Sequence, residues 1–128
     1  MPTVDEVRRL ALGMPDATEK PCFGTPGFYV RKKLFARVKE DGESIVVKVD
    51  PGEREALVQE QPDTFVVTPH YEKYAMVIIR LEHADPEELE EMIIEAWRRS
   101  APKRLLADYD AAHPPPSPGA RAWRTDDR

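Results

Sequence analysis

The sequence predicts an α+β domain built on an antiparallel sheet of about five strands, with helices packed on one face. Three observations lead there. Several segments open on helix-capping residues and continue as amphipathic stripes. Between them lie short stretches in which apolar and polar residues alternate. The links between those stretches are tight turns, too short for parallel crossovers. The expected order is α-β-β-β-α-β-β-α-α.

The first helix starts at Thr3-Val4-Asp5-Glu6, a capping box in which the Thr3 hydroxyl accepts from the third helical amide and Glu6 reaches back. Val4, Val7, Leu10, Ala11 and Met14 form its apolar stripe, and Gly13 and Pro15 end it. Asp50-Pro51-Gly52-Glu53 and Asp85-Pro86-Glu87-Glu88 repeat one logic: Asp caps, and Pro takes the first helical position. The helix from Pro86 carries Leu89, Met92, Ile93, Ala96 and Trp97 on one side. Its acids come early and Arg98 and Arg99 late, as the helix dipole favours. A last short helix begins near Pro102 and carries Leu105, Leu106 and Tyr109.

The strands fill the gaps. Phe28 and Val30, then Leu34, Ala36 and Val38, make two strands around a turn at Arg31-Lys32-Lys33. Asp41-Gly42 signals a tight hairpin into a third strand with Ile45, Val47 and Val49 inward. Thr64 to Val67 and Met76 to Leu81 supply two more.

A chain of 128 residues fits one domain with a core of its own, here placed at residues 1–110. From Ala111 the composition changes. His113-Pro114-Pro115-Pro116-Ser117-Pro118-Gly119 cannot continue a helix or sheet, so 111–128 reads as a flexible tail with Trp123 as its one adhesive side chain. No apolar run approaches the roughly 20 residues that span a bilayer, and no signal peptide is visible, so a cytoplasmic location is expected. The single cysteine, Cys22, has no partner for a disulfide or a Cys-x-x-Cys site and reads as a small buried residue beside Phe23.

Catalytic machinery is not evident. Ser-His-Asp sets, Gly-rich phosphate loops and metal-ligand spacings are all missing, so no cofactor, no metal and no enzymatic activity are expected. The acids Glu82, Asp85, Glu87, Glu88, Glu90, Glu91 and Glu95 read as a solvated helix face. Two regions could bind something. Net charge is −5, yet Arg31, Lys32, Lys33, Arg37 and Lys39 lie within nine residues without an acid. Alternation sends Arg37 and Lys39 to solvent, opposite Leu34, Ala36 and Val38, with Lys48 on the next strand. Such a ribbon could track DNA phosphates or meet an acidic protein partner, or it could simply protect an exposed edge. The second region is the loop Thr68-Pro69-His70-Tyr71-Glu72-Lys73-Tyr74, where His70 and Tyr71, with Lys48, could line a small-ligand pocket, while Lys73 joins the basic residues that could contact nucleic acid.

Several short strings, in order, point the same way. Gly24-Thr25-Pro26-Gly27-Phe28-Tyr29-Val30, Lys33-Leu34-Phe35-Ala36, Val47-Lys48-Val49-Asp50 and Val67-Thr68-Pro69-His70-Tyr71 resemble the MmcQ/YjbR family, as does the helix Glu88 to Arg99 with Pro102-Lys103 behind it. The likeness spans about residues 3–110. It implies a CyaY-like (frataxin-like) α+β fold and binding of double-stranded DNA through paired β-hairpins, here the region Phe28 to Val38. Two positions depart from the family pattern. Met76 stands where Trp is common, and Arg31-Lys32-Lys33 replaces a Gly-Lys turn. Iron handling by analogy with frataxin finds only Asp5, Glu6 and Asp16 near the first helix, too sparse for a hard cation.

Overall fold

The computed structural model describes residues 2–113. Residues 114–128, with most of the expected tail and Trp123, lie outside them; Ala111 and Ala112, placed in that tail from the sequence, instead close the last helix. The elements are α1 (Val4–Leu12), β1 (Ala17–Cys22), β2 (Thr25–Val30), β3 (Lys33–Val38), β4 (Ser44–Lys48), α2 (Pro51–Glu60), β5 (Phe65–Val66), β6 (Met76–Arg80), α3 (Pro86–Ser100) and α4 (Lys103–Ala112). Single 3-10 turns occupy Pro69–Tyr71 and Leu81–His83. The sheet is wholly antiparallel, in the order β1-β2-β3-β4-β6-β5.

The predicted α+β class holds, with six strands rather than about five. The unforeseen one is β1, an edge strand of sequence Ala-Thr-Glu-Lys-Pro-Cys. It has almost no apolar residue to alternate and contains Pro21, which an edge tolerates because one side of its backbone needs no ladder partner. The caps are as the sequence requires. Glu6 N donates to Thr3 Oγ1 at 3.2 Å and Thr3 N to Glu6 Oε1 at 3.3 Å. Asp50 accepts from the amides of Gly52 and Glu53, and Asp85 from that of Glu88.

The core lies between one sheet face and the helices. Val7 and Ala11 of α1, Leu57 of α2, and Leu89, Met92, Ile93, Ala96 and Trp97 of α3 pack on Phe28, Val30, Ala36, Val38, Ile45, Val47, Val77 and Ile79. Trp97 is fully buried and donates its indole N–H to the Pro15 carbonyl at 3.0 Å, tying α3 to the end of α1. Arg98 pairs with Asp110 and holds α4 against α3.

A β-bulge changes the expected facing of β3. Register with β2 runs Phe28↔Ala36 and then Tyr29↔Leu34, so Phe35 is the extra residue. Phe35 and Ala36 both enter the core, and Leu34 turns to the other face beside Tyr29 and Gly27. That other face carries no helix. It has a small apolar cluster of its own, Val46, Tyr71 and Ile78 with Val66 and Met76 at its margin. The segment after β5 makes this cluster by folding back over β4 and β6. Among the described residues, no helix is long and apolar enough to cross a membrane, and no group of three or more His, Cys, Asp or Glu could hold a metal ion.

Candidate functional site

The helix-free face divides into two ends with different chemistry. Strand direction and register assign the residues. β2 and β3 meet at Val30↔Lys33, and β4 ends at Lys48 beside Met76, so the Arg31–Lys33 turn and Lys48 share one end. Lys39 N donates to the Ser44 carbonyl, so Lys39, Glu40 and the β1–β2 turn occupy the other. Five residues of β4 at about 3.3 Å each put the ends roughly 15 Å apart.

At the first end the cations are solvated. Lys32 and Lys33 are exposed and Lys48 is half-buried. No carboxylate pairs with any of the three among the described residues. Arg99, from the last turn of α3, approaches them and has only a 4.0 Å contact with Asp50. The Lys48 ammonium is held below the ordinary lysine range, first by burial, then by repulsion from Lys33 and Arg99. Arg31 differs from its neighbours. It bonds Asp16 at 2.7 Å, and both residues sit in the left-handed region (φ of 58° each) with their side chains joining two turns.

At the second end the cations are enclosed. The expectation that Arg37 points to solvent is overturned: it is 3 % exposed. Arg37 does lie opposite Ala36 and Val38, but the overlying Tyr71 segment covers that face. Its Nη1 donates to the Tyr71 hydroxyl at 2.8 Å, and its Nη2 to Thr25 Oγ1 and Glu40 Oε2, each at 3.0 Å. Its Nε has no hydrogen-bond partner. Burial alone would lower the Arg37 pKa, but the bond to Glu40 and the neighbouring Tyr71 outweigh it and the net shift is upward. The Glu40 carboxyl is held below its usual range by its own backbone amide, and then by Arg37. Lys39 Nζ lies 4.0 Å from the same carboxylate.

Above Arg37 is an open pocket of about 390 Å³, lined by Phe23, Arg37, Lys39, Glu40, Thr68, His70 and Tyr71. Sheet order explains its shape. The β1–β2 turn supplies Phe23 as one wall, β3 the floor, and the returning 68–71 segment the opposite wall. His70 stands edge-on to Tyr71, with ring centroids 4.7 Å apart. Lys48 is not among the lining residues, so the expected trio His70, Tyr71 and Lys48 is split. Lys73 is exposed on the turn beyond, away from the pocket lining.

Three residues important to this geometry escaped sequence reasoning. Phe23 is 83 % exposed, and Phe23-Gly24 forms the two-residue turn between Cys22 and Thr25 with φ of 53° and 83°. Cys22 beside it is buried as expected, whereas Phe23 is not. Its position just before a glycine was the available signal. Arg54 of α2 donates to the carbonyls of Tyr71, Glu72, Tyr74 and Met76 at 2.6–3.3 Å, which fastens the loop that carries His70. Arg99 joins the basic end from α3. Its late helix position was already explained by the dipole, so nothing in the sequence linked it to Lys48.

Comparison with known proteins fits this structure. The YjbR family model matches residues 12–99. This chain belongs to the YjbR family. The uncharacterized proteins Rv2570 of Mycobacterium tuberculosis and Mb2600 of Mycobacterium bovis are each 31% identical over 127 residues, covering 85% of this chain and 96% of theirs. The crystal structure of the Deinococcus radiodurans protein DR2400, whose domain is designated DUF419, superposes with a TM-score of 0.70 at 25% identity, covering 88% of each chain. Because the YjbR match takes in all six strands, both ends of the helix-free face lie within the family region.

Proposed function

We propose that this YjbR-family protein binds DNA, contacting phosphates with Lys32, Lys33, Lys48 and Arg99 at the basic end of the sheet. One observation carries the reading. Cations from β3, β4 and α3 gather at one end of the sheet, where Lys48 is held low first by burial and then by repulsion from Lys33 and Arg99, and no carboxylate pairs with Lys32, Lys33 or Lys48 among the described residues. Crowded like charges raise the energy of the unbound protein, and a phosphate placed among them relieves that repulsion. The chain's net charge of −5 gives no general attraction to nucleic acid, so contact is local to this end. The acids of the first turn of α3 sit about 20 Å from Arg99 along a helix of 15 residues, and a carboxylate from outside that helix, Asp50, contacts Arg99 at 4.0 Å.

Fluorescence anisotropy with a labelled DNA duplex over a series of salt concentrations tests the reading. Binding should weaken with salt at a log–log slope of about −3, close to −0.9 for each of three or four phosphates. Absence of binding at low salt, or a slope near zero, overturns it. Polyglutamate competing as well as DNA would favour an acidic protein as the ligand.

A further inference from the structure

The pocket at the opposite end has features that phosphate tracking does not use. The first is Phe23. The first central position of a two-residue turn with both φ values positive favours Asn, Asp or Gly, whose backbones reach the left-handed region readily. A phenylalanine there is strained. The strain is not offset by burial, since the ring is 83 % exposed. The ring lies over the Arg37 guanidinium, 5.5 Å from centroid to Cζ, which leaves a large aromatic surface at the pocket wall.

The second feature is the donor excess of the floor. A guanidinium carries five N–H donors. Those of Arg37 make three bonds, to Tyr71, Thr25 and Glu40, and its Nε, though buried, makes none. The Tyr71 hydroxyl accepts from Arg37, so its own proton is available to an acceptor in the pocket. The third feature is Glu40. Its carboxylate reaches Arg37 Nη2 with one oxygen and Lys39 Nζ with the other, at 3.0 and 4.0 Å, while the side chain remains 62 % exposed. It thus stands where an incoming anion would meet both cations, on a side chain open to water.

A flat ring for the wall and an anion for the floor describe one ligand class. We propose that the Phe23–Arg37 pocket is a single-nucleotide site: the base lies against the Phe23 ring, and the phosphate displaces Glu40 from Arg37 and Lys39. The nucleotide is either free or an unstacked unit of a DNA strand. In the second case the inference rests on the DNA reading and narrows it to single-stranded or splayed DNA, because a base within a duplex cannot reach the ring.

Calorimetric titration of the full chain at low salt with four probes tests this: deoxyadenosine monophosphate, deoxyadenosine, ribose 5-phosphate, and a single-stranded deoxyadenosine dodecamer. The monophosphate should bind more tightly than either fragment. Phe23→Asn removes the ring and keeps a residue suited to the turn, so the variant folds. It should weaken the monophosphate about 5- to 100-fold, the span of base–aromatic stacking. Glu40→Gln, which removes the competing carboxylate, should tighten it several-fold. Lys33→Ala with Lys48→Met should leave the monophosphate unchanged and weaken the dodecamer. Failure of the monophosphate to bind, or equal binding by wild type and Phe23→Asn, overturns the nucleotide site. The DNA reading is then decided by the duplex titration alone. If the monophosphate binds and the dodecamer does not, the site takes free nucleotide, and the duplex titration alone decides the DNA reading.

Discussion

Arg37 and Lys33 lie four residues apart on the same strand, yet they belong to opposite ends of the sheet and live under opposite electrostatics. Lys33 is exposed, has no ion-pair partner among the described residues, and lies near enough to Lys48 to repel it. Arg37 is buried beneath Tyr71 and bonded on three sides. A cation of the first kind is available to a partner and contributes little to folding. One of the second kind is built into the fold and shapes the pocket above it. A run of basic residues in sequence is therefore two separate features in space.

Substitutions should separate the ends by the quantity each one changes. The largest stability effect is expected from Arg37→Ala. It removes three hydrogen bonds and leaves the Tyr71 and Thr25 hydroxyls without their donor, at a cost of about 2–3 kcal/mol in urea unfolding. Lys33→Ala should stay within about 0.5 kcal/mol of wild type. Equal effects from the two would break the distinction. Arg54→Ala comes next. It frees four loop carbonyls and should cost about 1–2 kcal/mol, with faster amide hydrogen exchange confined to residues around 68–76.

At the basic end the readout is salt rather than stability. Lys33→Ala combined with Lys48→Met should reduce the salt slope of DNA binding by about 2, one for each lost phosphate contact. The same pair should not lower the unfolding midpoint and should raise it slightly near neutral pH, because it removes a buried cation and the repulsion between the two lysines. An unchanged slope would place the phosphate contacts elsewhere.

A pH effect follows from Lys48. Its folded pKa lies below its unfolded one, so in the interval between them the unfolded chain holds more protons and stability rises with pH. The gain should begin as pH climbs through the lowered value and be complete above the ordinary lysine range. Lys48→Met should flatten that part of the stability curve. The smallest effect is expected from Phe23→Asn, which relieves a strained turn and should raise stability by about 0.5 kcal/mol. A loss of stability instead would mean that the exposed ring already packs on Arg37 well enough to hold the turn.

Much of the fold was legible because its signals are local. Thr3, Asp50 and Asp85 announce three helices by side-chain chemistry that needs no tertiary partner, and Asp41-Gly42 does the same for a hairpin. The edge strand β1 was not legible, since Glu19, Lys20 and Pro21 carry no apolar alternation and the strand exists only because β2 offers it a partner. The site was legible in composition and misread in geometry. His70 and Tyr71 do line a pocket. Alternation gives Arg37 the correct face, opposite Ala36 and Val38, but cannot show that the Tyr71 segment folds back over that face and buries it; the bulge at Phe35 changes the facing of Leu34 instead. Lys48 was paired with His70 although register puts it at the far end. Arg99 comes from a helix 51 residues along the chain from Lys48, and no spacing rule connects them.

The division of the sheet into a phosphate-tracking end and a nucleotide-holding end is tested most directly by one titration. Amide resonances of the full chain should be followed by two-dimensional NMR while a single-stranded dodecamer is added, at low and at raised salt. Two groups of shifts are expected: Lys32, Lys33 and Lys48, which collapse as salt rises, and Phe23, Lys39 and His70, which resist it. Shifts confined to the helical layer, or a single group that fades uniformly with salt, would contradict the division.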